Sequence, residues 1–393
     1  MKVLAIILAG GKRKELMPLV EDRCKAAVPF LGKYRVIDFV LSNCLNSQIR
    51  QINVVIQHRF GSLLKHIRDG WNVYSTTIGE YIDVYPPQQR HGEHWYSGSA
   101  DAVYQNMFSI ENENPDYVLT LSGDHIYKMN YQDLIRFHIE KKAHLTIASV
   151  NIPINKAKDF GVMTVDKDYL VTSFEEKPNQ IMLKADNCMI SMGLYVFSAQ
   201  VLKDIFSKPN KEKGYIEFGR DIIPELVSSK RVYSYPFQNG NNANCYWNFL
   251  RNLKEYYNGN MDILNGKCGI NIFDTNWPFR TYQSQSIPTR ILSSGNSNSL
   301  VVNSLISGGG LIEGKVVNSI LGTNVTVEPN AEIRDSILFD NIHVKKGAKI
   351  TKAIIDKGIE IPNDCELDYN NHKFWNEFTL ADDIIVLGKN ASK

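Results

Sequence analysis

A pair of glycines near the N-terminus is the first feature of the sequence that could do chemistry. Gly10 and Gly11 follow an apolar run, Val3–Ala9, and precede three basic residues, Lys12–Lys14. A glycine has no Cβ, so its backbone can approach a ligand closely. A strand that leads through a glycine turn into a helix commonly holds phosphate on backbone N–H groups. The same pair is equally consistent with an ordinary turn that binds nothing.

An aspartate just after a predicted strand is the second such feature. Asp124 follows the apolar run Tyr117–Leu121 by way of Ser122 and Gly123. Because Mg²⁺ prefers carboxylate oxygens together with substrate phosphate, a metal ligand is expected at this place. The alternative is an aspartate that caps a helix or forms a turn.

Two further groups of side chains could contact a sugar or a base. Glu175, Glu176 and Lys177 are adjacent in the chain, and a lysine held by carboxylates can bind a sugar phosphate as a point charge. The alternative is a solvated charged face. Trp95 and Tyr96 precede small residues and could stack on a base or a sugar, although an aromatic pair is also typical of a core.

The elements that must position these residues alternate between apolar strands and amphipathic helices. This alternation predicts an α/β domain with a mainly parallel sheet. Ligands of such sheets bind beyond the carboxyl ends of the strands, so Gly10–Gly11 and Gly123–Asp124 should face one crevice. The predicted strands are Val3–Ala9, Asn53–Gln57, Tyr117–Leu121 and Leu145–Val150, and the predicted helices are Leu41–Gln48 and Tyr131–Lys142.

The last third of the chain repeats a short pattern instead. Asn303–Ile306, Asn318–Leu321, Asp335–Leu338 and Lys352–Ile355 begin 15, 17 and 17 residues apart. Single apolar residues lie between them, at Ile312, Val327, Ile333, Val344, Ile350 and Ile361. This spacing predicts a three-sided parallel β-helix, which we expect to serve for packing and oligomerisation rather than catalysis. A β-sandwich would require alternating strands and hairpin turns, which are not evident.

Composition limits the class of protein. A length of 393 residues is too great for one typical core, so two domains are expected. The net charge of +2 gives no sign of a nucleic-acid or membrane-surface partner. Six scattered cysteines suit a reducing cytoplasm. The first apolar run ends in Gly-Gly, which indicates a core strand rather than a signal peptide, and no apolar run reaches the ~18 residues of a membrane span.

Taken together, these and other short blocks resemble the glucose-1-phosphate adenylyltransferases, also called ADP-glucose pyrophosphorylases. The resemblance covers essentially the whole chain and depends on many blocks in one order. The blocks are Leu8–Lys12, Val36–Cys44, Trp95–Tyr96, Gly98–Ala102, Gly123–Tyr127, Phe160–Met163, Glu175–Pro178, Ser191–Phe197 and Phe218–Pro224.

The resemblance implies an α/β fold in two parts. A Rossmann-like nucleotidyltransferase domain with a mainly parallel sheet would cover residues 1–275, a linker 276–295, and a left-handed parallel β-helix 296–393. In this family, a phosphate oxygen of glucose 1-phosphate attacks the α-phosphorus of ATP in the presence of Mg²⁺. The products are ADP-glucose, for glycogen or starch synthesis, and pyrophosphate.

The family motifs also imply roles for individual residues. Lys25 would face the ATP phosphates, and Asp124 would be one of two Mg²⁺ ligands. The residues that would hold glucose 1-phosphate are Tyr96, Gly161, Glu176, Lys177 and Ser191. The residues that would line the nucleotide site are Leu8, Ala9, Gly10, Gly11, Gln57, Gly98, Ser99 and Asp101.

Regulation is implied as well, because the family enzymes are usually tetramers tuned by sugar phosphates or similar anions that bind between the two domains. Arg23 and Arg35 match family positions near that effector site. Gln57 and Trp95 match positions linked to transmission of the signal.

Three departures from the family pattern concern phosphate transfer. The family loop reads Gly-Gly-x-Gly-x-Arg-Leu, whereas Arg13 here replaces the third glycine and Glu15 replaces the arginine that steadies the triphosphate. A carboxylate ~4 Å from a phosphate repels it by roughly 4 kcal/mol at an effective dielectric of ~20, where an arginine would stabilise the developing charge. Phe249 replaces the aspartate that supplies the second Mg²⁺ ligand, so a weakened Mg²⁺ site is expected. Ala26 stands where the family often has a proline after the lysine matched by Lys25.

Damage confined to the phosphate-transfer residues predicts a regulatory or catalytically impaired subunit that pairs with an intact homologue in a homo- or hetero-tetramer. The first alternative is an active enzyme in which Lys12, Arg13 or Lys14 replaces the missing arginine and water completes the metal shell. The second is a sugar-phosphate sensor that never pairs with an enzyme. The expected ligands are glucose 1-phosphate, ATP or ADP-glucose, and a sugar-phosphate effector.

Overall fold

The structure is a computed structural model that describes residues 1–11, 14–90, 92–181, 185–207, 216–237, 246–293, 299–372 and 375–391. These residues form an N-terminal α/β domain and a C-terminal parallel β-helix. Lys12 and Arg13, considered above as replacements for the missing arginine, lie outside the described residues, as does the expected domain boundary at residues 295 and 296.

The N-terminal domain is built on one large twisted sheet and two small ones. Its strands are β1 (Val3–Leu8), β2 (Pro29–Phe30), β3 (Tyr34–Arg35), β4 (Gln51–Val55), β5 (Tyr81–Tyr85), β6 (Tyr117–Ser122), β7 (His125–Tyr127), β8 (Leu145–Pro153), β9 (Gly161–Val165), β10 (Val171–Glu176), β11 (Asn187–Ser198), β12 (Val232–Pro236) and β13 (Trp247–Phe249).

The large sheet has a parallel centre. Strands β5, β4, β1 and β6 pair in that order, each parallel to the next. Strand β11 runs antiparallel beside β6 and pairs on its other edge with β8 and β9, after which β12 pairs parallel to β8 and β10 antiparallel to β9. Because only β10 and β11 are reversed, the prediction of a mainly parallel sheet is confirmed.

Helices pack on both faces of this sheet. They are α1 (Val36–Asn46), α2 (Gly61–Gly70), α3 (Ser99–Tyr104), α4 (Met107–Glu113), α5 (Tyr131–Glu140), α6 (Ala199–Ser207), α7 (Ile223–Ser229) and α8 (Leu253–Leu264). Short 3₁₀ turns cover Lys14–Leu16, Lys25–Ala27, Thr76–Ile78 and Ile154–Lys156, and a π-helical turn covers Phe218–Ile222.

The four predicted strands are present, with ends shifted by one to three residues. The prediction of a helix over Leu41–Gln48 was wrong at its start, because α1 begins at Val36. The Asp38 carboxylate accepts a hydrogen bond from the Arg35 backbone N–H at 2.7 Å and so caps the first turn. The β-branched residues of that turn, Val36 and Ile37, would by themselves favour an extended strand.

Strand β1 is buried on both faces, as its apolar run predicts. Ala5 and Ile7 belong to a hydrophobic cluster that includes α1 and α5, whereas Leu4 and Ile6 belong to a second cluster that includes α3 and α7. All four side chains are fully buried. The sheet is therefore covered on both sides, and its carboxyl edge is the place where side chains can face solvent and ligands.

The C-terminal domain consists of three sheets that form the faces of a β-helix, and their strands are parallel except for Thr379–Ala381, which pairs antiparallel to Ile384–Leu387 at the edge of one sheet. Its strands are β14 (Arg290–Ile291), β15 (Leu300–Val302), β16 (Leu305–Ile306), β17 (Leu311–Ile312), β18 (Lys315–Val317), β19 (Ile320–Leu321), β20 (Thr326–Val327), β21 (Glu332–Arg334), β22 (Ile337–Leu338), β23 (His343–Val344), β24 (Lys349–Thr351), β25 (Ala353–Ile355), β26 (Glu360–Ile361), β27 (Glu366–Leu367), β28 (Thr379–Ala381) and β29 (Ile384–Leu387).

The register of these strands confirms the predicted repeat. Leu305 pairs with Ile320, Ile320 with Ile337, and Ile337 with Ile354, so the coils are 15, 17 and 17 residues long. The six isolated apolar residues predicted to point inward, Ile312, Val327, Ile333, Val344, Ile350 and Ile361, are all fully buried. This architecture is consistent with the left-handed β-helix expected from the resemblance.

The two domains share a hydrophobic cluster. Phe39 and Tyr256 of the N-terminal domain belong to the same buried cluster as Ile337 and Phe339 of the β-helix. The Phe279 ring, from the segment expected to be a linker, packs on Phe39 with 4.7 Å between ring centroids. The start of that segment is therefore part of the packed structure, and Arg290–Ile291 near its end pair as β14 with β17 of the β-helix.

Along the described chain, every helix is too short or too polar to cross a lipid bilayer.

Candidate functional site

The carboxyl ends of β1 and β6 meet at one edge of the sheet, as predicted. The Gly123 backbone N–H donates to the Leu8 carbonyl at 2.9 Å, and the Ala9 N–H donates to the Val55 carbonyl at 2.8 Å. A Cβ on Gly10 would lie 3.0 Å from the Cβ of Gln57, whereas a Cβ on Gly11 would meet nothing within 4 Å. The chain thus needs glycine at position 10 for close packing, and Gly11 presents open backbone.

Lys25, Asp124 and Phe249 lie together in this crevice. The Lys25 ammonium is 2.9 Å from Asp124 Oδ2, and the lysine side chain is only 3% exposed. The same ammonium lies 4.3 Å from the centroid of the Phe249 ring. An ion pair and a cation–π contact therefore converge on one buried lysine.

The antiparallel pairing of β13 with β7 places Phe249 opposite His125, the residue after Asp124. The His125 and Phe249 rings meet edge to face with 4.8 Å between centroids, and Phe160 packs on the same phenyl ring at 6.1 Å. His125 Nε2 is 3.5 Å from Asp124 Oδ1. The position matched to the second metal ligand is thus beside Asp124 but presents an aromatic ring.

Glu15 lies on the 3₁₀ turn Lys14–Leu16. Lys14 and Glu15 are exposed, whereas Leu16 is fully buried and anchors the turn. Within the part of the chain that the structure describes, Glu15 forms no ion pair. A negative side chain is therefore exposed to solvent on the loop that the family resemblance assigns to the triphosphate.

Gln57, Trp95 and Tyr96 form one cluster. The Gln57 amide donates to the Tyr96 carbonyl at 3.2 Å and contacts His58 Nε2 at 2.8 Å. The His58 ring stacks on the indole of Trp95, which is 56% exposed, with 5.0 Å between centroids. The Tyr96 hydroxyl accepts a hydrogen bond from Asn106 at 2.9 Å. The exposed Trp95 face is available for stacking, whereas Tyr96 is largely buried.

The segment with Gly98, Ser99 and Asp101 forms a tight turn against Ile216 and Glu217. The Ser99 hydroxyl donates to Glu217 at 2.6 Å, and a Cβ on Gly98 would lie 2.2 Å from the Ile216 carbonyl oxygen. The Asp101 carboxylate accepts from the Ser97 N–H at 2.8 Å and is nearly buried. Asp101 therefore holds the turn in shape.

Glu176 lies at the centre of the expected sugar side. Its carboxylate oxygen would be 2.9 Å from a Cβ on Gly161 and 2.2 Å from a Cβ on Gly219, so both glycines make room for it. Burial raises the pKa of the Glu176 carboxyl, the Lys177 ammonium 3.8 Å away lowers it, and Glu217 raises it further. Two carboxylates and one exposed lysine thus border the same space.

Ser191 lies on a bulge in β11. The Ser191 hydroxyl accepts from the Gly193 N–H at 3.1 Å and contacts the Tyr195 hydroxyl at 3.4 Å. Pairing with β8 is irregular between Ser191 and Tyr195, and Gly193 has a φ of +71°, a value that favours glycine. Burial raises the pKa of the Tyr195 hydroxyl, and the nearby charges of Glu176 and Glu217 raise it further.

A cavity of about 480 Å³ lies between the two domains. Arg35, predicted to be near an effector site, lines this cavity. Lys33, Lys65 and Lys357 line it as well, and Asp340, also in the wall, is ion-paired with Lys357. Burial and then the Arg35 charge lower the pKa of Lys357. The cavity therefore gathers positive charge from both domains.

Arg23 lies in the same region but faces protein. Both terminal nitrogens of its guanidinium donate to Asp356 Oδ1 at 3.0 Å, and both side chains are 6% exposed or less. Arg23 thus joins the N-terminal domain to the β-helix, just before the turn that carries Lys25.

Several residues of these sites were missed by the sequence analysis. Glu217 and Tyr195 lie within or next to quoted blocks, so a closer search for polar side chains there would have found them. Lys33, Lys65 and Lys357 carry no local signal, because they come from three separate elements that only the packed domains bring together.

Comparison with known proteins covers both domains. A family model for nucleotidyl transferases matches residues 4–266. A model described as GlmU-like, C-terminal hexapeptide, matches residues 287–387.

Individual proteins are similar over nearly the whole chain. A glucose-1-phosphate adenylyltransferase 2 of Vibrio cholerae is 41% identical over 98% of this chain and 97% of its own length. The protein of the same name in Vibrio parahaemolyticus is 43% identical with the same coverage. A glucose-1-phosphate adenylyltransferase of Rhodopirellula baltica is 40% identical over 94% of this chain and 85% of its own length.

Proposed function

The chain belongs to the glucose-1-phosphate adenylyltransferase family, and we propose that it is a regulatory or catalytically impaired subunit that acts with an intact homologue. The family reaction joins glucose 1-phosphate and ATP to form ADP-glucose and pyrophosphate. In this proposal the chain keeps the sugar side and the effector cavity but carries out phosphate transfer poorly. It would work in a tetramer in the cytoplasm.

The Phe249 ring is the observation that carries this proposal. It lies beside Asp124, across the β7–β13 ladder, at the position where the family motif has a carboxylate. A phenyl ring cannot ligate Mg²⁺, which takes oxygen ligands, so the metal that bridges and neutralises the transferring phosphates would lose one of its two protein ligands.

Glu15 supports the same conclusion independently. Its side chain is exposed on the loop assigned to the triphosphate, so it would face bound phosphates with a negative charge. Repulsion there opposes binding of the triphosphate and the build-up of charge in the transition state alike.

The geometry of the sugar side supports a chain that binds glucose 1-phosphate without converting it efficiently. Glu176, Ser191 and Tyr195 converge at one place, and Gly161 and Gly219 leave space for the Glu176 carboxylate. Glucose 1-phosphate would bind here, with Lys177 reaching its phosphate.

The interdomain cavity supports a regulatory role. Lys33, Arg35, Lys65 and Lys357 provide more positive charge than Asp69 and Asp340 in the same wall neutralise. A sugar phosphate or a similar anion is the class of effector that this charge would attract.

The decisive experiment is an assay of the purified chain, alone and after co-expression with an intact family member from the same genome. Alone, the chain should form ADP-glucose from ATP, glucose 1-phosphate and Mg²⁺ at about 1% or less of an ordinary family rate, since two lost interactions cost two or more powers of ten. Co-expressed, the two chains should co-purify, and the partner's response to sugar phosphates should change. An ordinary rate for the chain alone overturns the proposal.

An active enzyme is the second candidate, and it is favoured by the retention of Lys25 and Asp124 in direct contact in the crevice. The same assay separates the two. A stand-alone sensor is distinguished by tight sugar-phosphate binding without co-purification of any homologue.

A further inference from the structure

Asp124 has surroundings that do not fit a divalent metal site. A bound Mg²⁺ needs near-octahedral oxygen ligands. One carboxylate oxygen already contacts the Lys25 ammonium at 2.9 Å, and the other lies 3.5 Å from His125 Nε2. Mg²⁺ is usually held by one or two carboxylates together with substrate phosphates and water. Here the carboxylate of Asp124 is already in contact with a positive charge.

The lysine, by contrast, fits this place well. Its side chain is 3% exposed, and its ammonium lies 4.3 Å from the centroid of the Phe249 ring. The negative face of an aromatic ring attracts a cation most strongly where water is excluded. A carboxylate on one side and a ring face on another make a binding site for a single fixed positive charge.

The backbone that carries Lys25 is held from both directions. The Arg35 guanidinium donates to the Ala27 carbonyl in the same turn, and the Cys24 N–H donates to the Arg59 carbonyl at 3.1 Å. Arg23, two residues before the lysine, is bound to Asp356 of the β-helix. The ammonium therefore cannot leave Asp124 by a simple shift of its turn.

Phe249 is equally fixed. It is paired through β13 with β7 and packed edge to face on His125, and Phe160 contacts its other side. A divalent ion that entered beside Asp124 would meet the ring on one side and a like charge on the other.

We propose that the Lys25 ammonium, seated between Asp124 and the Phe249 ring, takes the place of the divalent cation, so that this chain binds the diphosphate group of ATP or ADP-glucose without Mg²⁺. The inference rests on the proposed function, because it assumes that the crevice still accepts the family's nucleotides. It extends that function by giving the metal-free crevice a binding role instead of treating it only as a defect.

The test is isothermal titration calorimetry of the full chain with ATP, and separately with ADP-glucose, in EDTA and in excess Mg²⁺. The wild-type affinity should be equal within about twofold in the two buffers. Phe249→Asp should restore a carboxylate beside Asp124, and its ATP affinity should then rise about tenfold or more when Mg²⁺ replaces EDTA. Phe249→Leu is the matched control, since it removes the ring without adding an oxygen, and it should stay independent of Mg²⁺.

Lys25→Met supplies the complementary measurement, because it keeps the length of the side chain and removes its charge. Its affinity for ATP in EDTA should fall about tenfold. Electron paramagnetic resonance of Mn²⁺ with ATP should show protein-immobilised Mn²⁺ for Phe249→Asp and not for the wild type.

Wild-type binding that requires Mg²⁺ overturns the inference, and this comparison needs no variant to fold. Absence of ATP and ADP-glucose binding in both buffers overturns it as well, but leaves the regulatory proposal standing if the chain still co-purifies with its homologue. Activity of the chain alone at an ordinary rate would overturn the proposed function instead, so the two failures are distinguishable.

Discussion

The crevice and the interdomain cavity both contain basic side chains, but they use those charges in opposite ways. In the crevice, Lys25 is buried and its ammonium already contacts Asp124 and the Phe249 ring. In the cavity, Lys33 and Lys65 are exposed and line about 480 Å³ of open space. The comparison teaches that the charge nearest the expected reaction is held in one place by protein contacts, whereas the charge between the domains lies on exposed side chains.

The two regions are nevertheless joined by one short piece of backbone. The turn Lys25–Ala27 carries the crevice lysine, and the carbonyl of its last residue accepts a hydrogen bond from Arg35 of the cavity wall. Arg23, just before the turn, is bound to Asp356. An anion that draws Arg35 toward itself would therefore act directly on the turn that positions Lys25.

The largest effect is expected from removing the Arg23–Asp356 ion pair, which joins the N-terminal domain to the β-helix. Asp356→Ala leaves the buried Arg23 guanidinium without its partner, which should lower the free energy of unfolding by about 3–5 kcal/mol. Denaturation by urea measures this. The matched control is Asp22→Ala, which removes another interdomain ion pair, that with Lys389 at 3.1 Å. Both of its side chains are about half exposed, so the loss should be ~0–1 kcal/mol. Equal losses of unfolding free energy in the two variants would mean that burial of the Arg23–Asp356 pair does not contribute to stability.

The second-largest effect is expected from restoring the family residues in the crevice. The double variant Glu15→Arg with Phe249→Asp returns a positive charge and a metal ligand to one transition state, so the rate of ADP-glucose formation should rise about 100- to 1,000-fold, or ~3–4 kcal/mol. Each single change should give much less. Glu225→Arg, which makes the same charge change as Glu15→Arg at an exposed position of α7, should leave the rate unchanged. A double variant as slow as the wild type would place the defect elsewhere.

Removing the exposed charge of the cavity should have a smaller effect. Lys33→Ala with Lys65→Ala should weaken binding of a hexose bisphosphate about tenfold, because roughly 0.5–1 kcal/mol is expected from each exposed charge contact. Equilibrium dialysis gives the dissociation constant, and ATP binding to the crevice should not change. Lys230→Ala, an exposed lysine outside the cavity, is the control. A parallel loss of ATP affinity would show that the two regions are not separate binding sites.

The smallest effect concerns pH. Burial and the neighbouring Arg35 charge lower the pKa of Lys357, so this ammonium loses its proton at a lower pH than an ordinary lysine. Affinity of the cavity for a hexose bisphosphate should therefore fall a few-fold as pH rises toward 10.5, the ordinary lysine value. Lys357→Met should flatten that part of the profile.

A loss of stability caused by deprotonation of Lys357 cannot account for this fall in affinity. The unfolded chain keeps the Lys357 proton to higher pH than the folded chain does, so over this interval the stability contributed by the group rises with pH. A flat profile for the wild type would show that Lys357 does not contact the anion.

The sequence by itself determined the elements whose pattern is local. The apolar runs at Val3–Ala9 and Tyr117–Leu121 predicted buried strands, and the 15- and 17-residue spacing predicted the coils of the β-helix. These two predictions succeed because strand burial and coil stacking depend on the spacing of apolar residues along the chain. The start of α1 was missed because it depends on a side-chain cap, Asp38 on the Arg35 backbone, rather than on periodicity.

Tertiary structure alone decided which charges meet. Lys25, Asp124 and Phe249 are separated by about one hundred residues or more in sequence, and the β7–β13 ladder and the turn at Lys25–Ala27 bring them within contact distance. The cavity lysines come from both domains and converge only after those domains pack. The physical reason is that electrostatic and cation–π interactions depend on distance and burial in space, which no local pattern of residues encodes.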